Sequence, residues 1–291
     1  MLWAVFAIFA ALVYAVVNII DKIAISKEMK DPILASVIFG LIAALVFGLI
    51  AFFVNVMISY LVLGIAFAAG VLSWFGVYLY YKILVKEEVS KFVPLLSLSP
   101  IVVMVLAFVL LGEVFGALKY LGIFLLVVGA IVMSLKEFRF KFGLKEGMLI
   151  ISLVVLLFAL GDIAVKFSTI RASVWPVMFW VGIGEGVMAL LAFIFHHPHI
   201  RGRIRENGVR HLVLANVLTV VGAVFSFLAI SLGPVTLVRA LAETQILFVF
   251  FGALALGKFY PEILKEKING RIVLQKIVAI LLIIAGTVLV I

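Results

Sequence analysis

The sequence predicts an all-α polytopic membrane protein: ten transmembrane helices arranged as two inverted five-helix repeats. Three observations predict it. The composition is too apolar for a water-soluble globule, helix-length apolar runs recur between short polar breaks, and the second half echoes the first. Of 291 residues, 67% are hydrophobic and 13% are charged, with a mean hydropathy of +1.41. A soluble domain is roughly one-quarter charged, so this chain has too little polar surface to coat itself in water.

Each apolar run is long enough to cross about 30 Å of hydrocarbon at about 1.5 Å per residue. The polar breaks place the spans at Leu2–Lys22, Pro32–Val54, Ser59–Leu84, Ser90–Leu111, Leu118–Leu135, Met148–Phe167, Val174–Phe195, Val209–Leu232, Pro234–Leu256 and Ile272–Ile291. The opening Met-Leu-Trp-Ala-Val-Phe carries no basic stretch and reads as a first span rather than a signal peptide. Connections are short, leaving no room for a soluble catalytic or nucleotide-binding domain. No Gly-x-x-x-x-Gly-Lys-Ser/Thr loop occurs, so ATP-driven transport would need a separate subunit.

There are no cysteines, which excludes disulfides and thiolate metal sites. The net charge of +9 does not point to nucleic acid, because the basic residues gather in the breaks between spans. With the N-terminus outside, nineteen Lys and Arg fall in cytoplasmic breaks, and only Lys119, Lys166 and Arg171 fall opposite, Arg239 being intramembrane. The positive-inside rule therefore places both termini outside a cell membrane.

The duplication gives the repeats as residues 1–140 and 141–291. A shift of 144 lays Tyr14-Ala-Val-Val-Asn18-Ile-Ile-Asp-Lys22 on Phe158-Ala-Leu-Gly-Asp162-Ile-Ala-Val-Lys166, and pairs Pro32 with Pro176 and Gly40 with Gly184. A shift of 146 pairs Ser97 with Glu243, and near the end a shift of 157 pairs Gly129 with Gly286. Five spans per half is an odd number, so the halves lie in opposite orientations, as in many secondary transporters.

Pro100, then Leu111-Gly112-Glu113, then Gly122 and Gly129, together with the Asn18/Lys22 end of the first span, form a recognisable pattern. With the duplication, it resembles the EamA-type transporters of the drug/metabolite transporter superfamily. The second half departs from the pattern: Ile246 stands where the proline would be, and Lys258 close to where the glutamate would be. The resemblance implies a ten-helix bundle that moves small organic metabolites by alternating access. Members more usually keep both termini in the cytoplasm, whereas the charge distribution here places them outside.

The residues themselves nominate a site. Glu185 is the only charge in Trp175–Phe195, where an acid at mid-membrane costs about 3 kcal/mol and normally faces a bundle interior or wet cavity. Its repeat counterpart is Leu41, so the shared scaffold does not demand it. A desolvated carboxylate can bind and release a proton, or hold a substrate ammonium; the plainer reading is an interhelical hydrogen bond. Gly182, Gly184 and Gly186 around it allow close approach of a neighbouring backbone or ligand.

Arg239 and Glu243 are four residues apart, on one face of the ninth span. They either neutralise each other or serve a ligand, with Arg239 offering a fork to a carboxylate or phosphate and Gln245 nearby. Asn18 and Asp162 are repeat-related, each one turn before a lysine. The lysines read as snorkelling to the interface, and Asp162 leans toward the cavity. Trp74 and Tyr78 offer rings that could stack on a substrate, while Tyr80 and Tyr81 read as part of an interfacial aromatic belt. Ser73, Ser97, Asn216, Thr219 and Ser226 are weaker polar candidates. His196, His197 and His199 lie in an arginine-rich break and read as a positively charged interfacial loop rather than a metal site.

The expected function is transport of a small polar, amino-acid-like metabolite through a cavity lined by Glu185, Arg239, Glu243 and Asp162, with Trp74, Tyr78, Asn18 and Gln245. Glu185 is the candidate for proton coupling, and neither a cofactor nor a metal is expected. Two other readings stay open: a lipid or lipid-linked-sugar flippase, and a membrane-embedded enzyme acting on lipid-linked substrates. The latter would need a nucleophile or metal constellation, for which only the histidine cluster is available. The substrate, the coupling ion and the oligomeric state are not specified by the sequence.

Overall fold

The computed structural model describes residues 1–27, 31–86, 93–135, 145–203, 208–256 and 270–291. Its helices are α1 (Leu2–Lys27), α2 (Pro32–Gly48, closed by a 3-10 turn Leu49–Phe52), α3 (Tyr60–Lys86), α4 (Val93–Leu96), α5 (Ser99–Leu111) and α6 (Ala117–Ser134). The second half follows with α7 (Lys145–Thr169), α8 (Val174–Arg203), α9 (Gly208–Leu232), α10 (Val235–Ala242), α11 (Gln245–Leu256) and α12 (Gly270–Val290). Among the described residues, nine segments are long and apolar enough to cross a membrane, with α10 and α11 counted together; α4 and α5 supply the remaining crossing.

Residue size sorts by position. Ala11, Ala66, Ala107 and Ala130 are fully buried, whereas Leu45, Phe124, Leu149 and Leu281 stand exposed around the outside. Lipid is as apolar as leucine, so helices associate where small residues let backbones close together, and large apolar side chains serve the lipid face.

The packing is symmetric when the halves are exchanged. Helix α1 packs most extensively on α9, and α3 on α7; α2 packs on α8, and α6 on α12. Substituting α7 for α1 and α9 for α3 maps this set onto itself. The α6–α12 seam shows the same relation at single residues. A Cβ added at Gly122 would lie 3.1 Å from the Gly286 carbonyl oxygen, and one added at Gly129 would lie 3.1 Å from that of Ala279. The 157-residue shift carries the first contact onto the second.

Spans four and nine, expected as continuous helices, are each broken. In the first half α4 stops at Leu96 and α5 starts at Ser99, with Pro100 in its first turn. A proline ring clashes with the carbonyl four residues back, here that of Leu96, which ends α4 there. The second half breaks at the register-equivalent pair Glu243–Thr244 without a proline. There Thr244 Oγ1 donates to the Leu241 carbonyl at 2.7 Å. The Glu243 and Thr244 amides bond three residues back, to Ala240 and Leu241, in place of the α-helical ladder.

Local chemistry fixes the helix ends. Asp31 caps α2 by accepting from the Ile33 and Leu34 amides, with Pro32 in its first turn. Gly112 closes α5 at φ 71°, the left-handed conformation that glycine adopts without penalty. The next residue, Glu113, crosses to the second half and accepts from the Val235 and Thr236 amides at 2.8 and 3.2 Å. It thereby serves the N-terminus of α10, where a carboxylate is favoured. At the end of its span, Lys166 donates from Nζ to the Ile230 and Gly233 carbonyls at 2.9 and 2.8 Å and closes the end of α9. Glu113→Ala is expected to lower stability by about 1–3 kcal/mol, since two amides lose a charged acceptor. Unfolding in detergent, followed by circular dichroism, measures it.

Candidate substrate site

The carboxylate of Glu185 faces the bundle interior. Helix α8 is wedged between α2 and α3 through its glycines. A Cβ at Gly182 would meet the Phe47 side chain at 2.6 Å, and one at Gly184 would meet the Phe67 carbonyl at 2.3 Å. The close approach that these glycines permit is therefore to neighbouring helices. Glu185 between them is 4% exposed. Ser73 of α3 donates to its Oε1 at 2.7 Å, while its Oε2 is buried without a hydrogen-bond partner.

Arg239 and Glu243 are not each other's ion-pair partners. Arg239 forms a bidentate pair with Asp162 of α7, Nε and Nη2 each donating to one carboxylate oxygen. Glu243 is the residue at which α10 ends, its amide bonding three residues back to Ala240. Glu243 instead accepts a hydrogen bond from Ser97, although Arg239 remains within electrostatic reach. Ser97 and Glu243 are the register-equivalent residues of the two breaks, so the interrupted helices touch at matching points.

The Asp162 side chain is 5% exposed and that of Arg239 25%, so Arg239 is the more exposed residue of the pair. Tyr14 of α1 lies within electrostatic reach of Arg239, Asp162 and Glu185, and its ring fills the space in front of Gly222 on α9. The core of the site is thus Tyr14, Asp162, Glu185, Arg239 and Glu243, with hydroxyls from Ser73 and Ser97. Six helical crossings contribute to it.

The remaining nominated residues are distributed around this centre. Asn18 is half-buried, one turn beyond Tyr14 on α1. Gln245 is half-buried and opens α11 directly after the second break. Trp74 is 5% exposed; its indole N–H is committed to the Ser36 carbonyl at 2.9 Å, and its ring stacks on Tyr78 with centroids 5.9 Å apart. Trp74 therefore joins α3 to α2, and Tyr78 presents the outer face of that stack. Tyr81 does not belong to an interfacial belt: it is 3% exposed and donates to Asn216 Oδ1 on α9 at 3.2 Å. Among the described residues no cluster of three or more His, Cys, Asp or Glu could hold a metal. His196 is exposed, and the side chains of His197 and His199 lie outside the description.

Two residues were missed in the sequence. Tyr14 gave no charge or motif to mark it, only its place at the head of the repeated Tyr14–Lys22 segment. Asp21 beside Lys22 reads as the polar end of a span. In the structure α1 runs on to Lys27, which leaves Asp21 inside the bundle at 3% exposure.

A multi-pass helical protein with two discontinuous, repeat-related helices meeting at an enclosed polar site has the plan of a secondary transporter. Residues 1–135 match the model of the EamA-like transporter family, so the first half of the chain is similar to those transporters. The fold as a whole is similar to that of a protein solved by crystallography, with a TM-score of 0.76 and 15% identity over 99% of this chain and 97% of that one. No curated protein matches the sequence.

Proposed function

We propose that this protein is a secondary transporter of the EamA type that carries a small polar, amino-acid-like metabolite across the cell membrane by alternating access, through the site around Arg239, Asp162, Glu185 and Glu243. The supporting observation is the hydrogen bond from Ser97 to Glu243, which joins the two helix breaks beside the Arg239–Asp162 pair. Interrupted helices place unpaired backbone groups and side chains at the disposal of a ligand in mid-membrane, where a continuous helix has none to offer. Carboxylates suit a substrate ammonium, and the guanidinium of the partly exposed Arg239 suits a carboxylate. The moving bodies are residues 1–140 and 141–291, rocking about this centre, with both termini outside.

Glu185 is the coupling carboxylate in this reading. Protonated, it satisfies its buried oxygens by donating and accepting; ionised, it needs a cationic group beside it. Counterflow into proteoliposomes, screened with labelled amino acids and other small polar metabolites, tests the reading. Uptake by the wild type should be lost in Glu243→Gln. In Glu185→Gln it should persist as exchange without responding to a pH gradient. Wild-type vesicles that respond to no member of the panel contradict the proposed substrate class, and a Glu185→Gln variant as pH-responsive as wild type contradicts the coupling.

A further inference from the structure

A second polar cluster lies apart from the substrate site. On α1, Tyr14, Asn18 and Asp21 follow at intervals of four and three residues, a spacing that aligns them on one helical face. Seven residues of helix separate Tyr14 from Asp21, about 10 Å at about 1.5 Å per residue. On α3, Tyr81 lies eight residues beyond Ser73, about 12 Å by the same rise. The cluster is thus displaced from the site toward the membrane face where α1 and α3 end. Asn18 stands between the two.

Two atoms in it lack partners. Asp21 is 3% exposed and its Oδ1 is fully buried with no hydrogen bond; Asn216 on α9 is fully buried and its Nδ2 is likewise unpaired. Tyr81 links them, donating to Asn216 Oδ1 and lying within electrostatic reach of Asp21. Tyr80, whose ring tilts against that of Tyr81, is also within reach of Asp21. Of the elements packed on α1, α9 carries Arg210 and His211 toward its start, about 8–9 Å of helix from Asn216, and α3 carries Lys82 and Lys86 at its end, so these are the cations nearest in register to the cluster. Helix α11 has no ionisable side chain, and the only one on α10, Arg239, is paired with Asp162.

The scaffold does not require this carboxylate. The 144-residue shift places Val165 opposite Asp21, and Val165 is buried at 2% exposure. A side chain without a polar atom fills the matching place in the other half. An acid buried inside the bundle with an oxygen unpaired is costly, and such residues in membranes mark ion and proton pathways.

We infer that Asp21, with Tyr80, Tyr81 and Asn216, forms a second site that holds a monovalent cation, a proton or a sodium ion, on the route along α1 between the substrate site and one membrane face. The ion is held through Asp21 Oδ1, and the phenol and amide oxygens beside it complete a hard, oxygen-rich environment of the kind such ions take. The site differs from Glu185 in position, in partners and in test.

Infrared difference spectroscopy on purified protein in detergent tests it without any substrate. One pair of spectra compares the two ends of the physiological pH range; the other compares sodium chloride with choline chloride at fixed pH. A solvated aspartate, with a pKa of about 3.9, stays ionised throughout and contributes no band to either pair. The wild type is expected to show a carboxyl band that disappears in Asp21→Asn and persists in Glu185→Gln. Its appearance in the pH pair identifies a proton, and in the sodium pair a sodium ion. Wild-type and Asp21→Asn spectra that coincide in both pairs overturn the proposal and leave the Glu185 reading untouched, as a cluster filled only by water would. Should Asp21→Asn fail to fold, Asp21→Glu serves: the band should shift, and an unshifted or absent band overturns the proposal equally.

Discussion

Replacing Arg239 by Gln is expected to cost about 3–5 kcal/mol of stability and to abolish transport, because it strands Asp162 as an unpaired carboxylate inside the bundle. Asp162 is 4% exposed and both of its oxygens bond the guanidinium, so glutamine cannot replace the charge or the fork. The cost arises from the stranded charge more than from the lost bond. It follows that Arg239→Gln combined with Asp162→Asn should recover most of the stability while remaining inactive. Thermal unfolding of the four members of this cycle in detergent measures the coupling. Two single variants whose losses simply add would show that the pair is not coupled.

Gly70→Ala is expected to destabilise as strongly, by overpacking rather than charge. A Cβ at Gly70 would lie 2.0 Å from the Val181 carbonyl oxygen, which belongs to the α8 backbone and cannot rotate aside. Helices α3 and α8 must then part, and Ser73 is drawn away from Glu185. Overpacking a close-packed interior costs about 1–3 kcal/mol, and a rigid backbone neighbour puts this case at or above the upper end. Gly64 on the same helix has nothing within 4 Å of its Cβ position. Gly64→Ala should therefore be neutral or stabilise by about 0.5–1 kcal/mol, the ordinary preference for alanine in a helix. Equal effects at the two positions would argue against the α3–α8 seam.

Much of the architecture was legible because its signals are periodic. Apolar run lengths located the crossings, and the shift of 146 matched Ser97 with Glu243 before either was known to stand at a break. The glycines of α8 marked a place of close approach because only a missing side chain lets backbones come together. What stayed hidden depends on contacts distant in sequence. Arg239 sits one turn from Glu243, and a local reading pairs them; its partner lies 77 residues away on α7. The break in α10–α11 was hidden because Thr244 caps the freed carbonyl where the first half uses a proline. Asp21 was concealed by Lys22: a charged pair at a span's end looks interfacial until the helix continues past it. Charge distribution orients the chain but says nothing of which carboxylates are open to a ligand.

The central claim is that the junction of the two broken helices is a site reached alternately from both sides of the membrane. The absence of cysteine lets a single introduced thiol report on it. Gln245, half-buried beside the second break, is the position to replace, with Ala43, fully buried beneath α8, as the closed control. Small membrane-impermeant thiol reagents are applied separately from each side of oriented vesicles. Alternating access predicts that Gln245→Cys reacts from either side while Ala43→Cys reacts from neither. Reaction of Gln245→Cys from one side only, or from none, would contradict it.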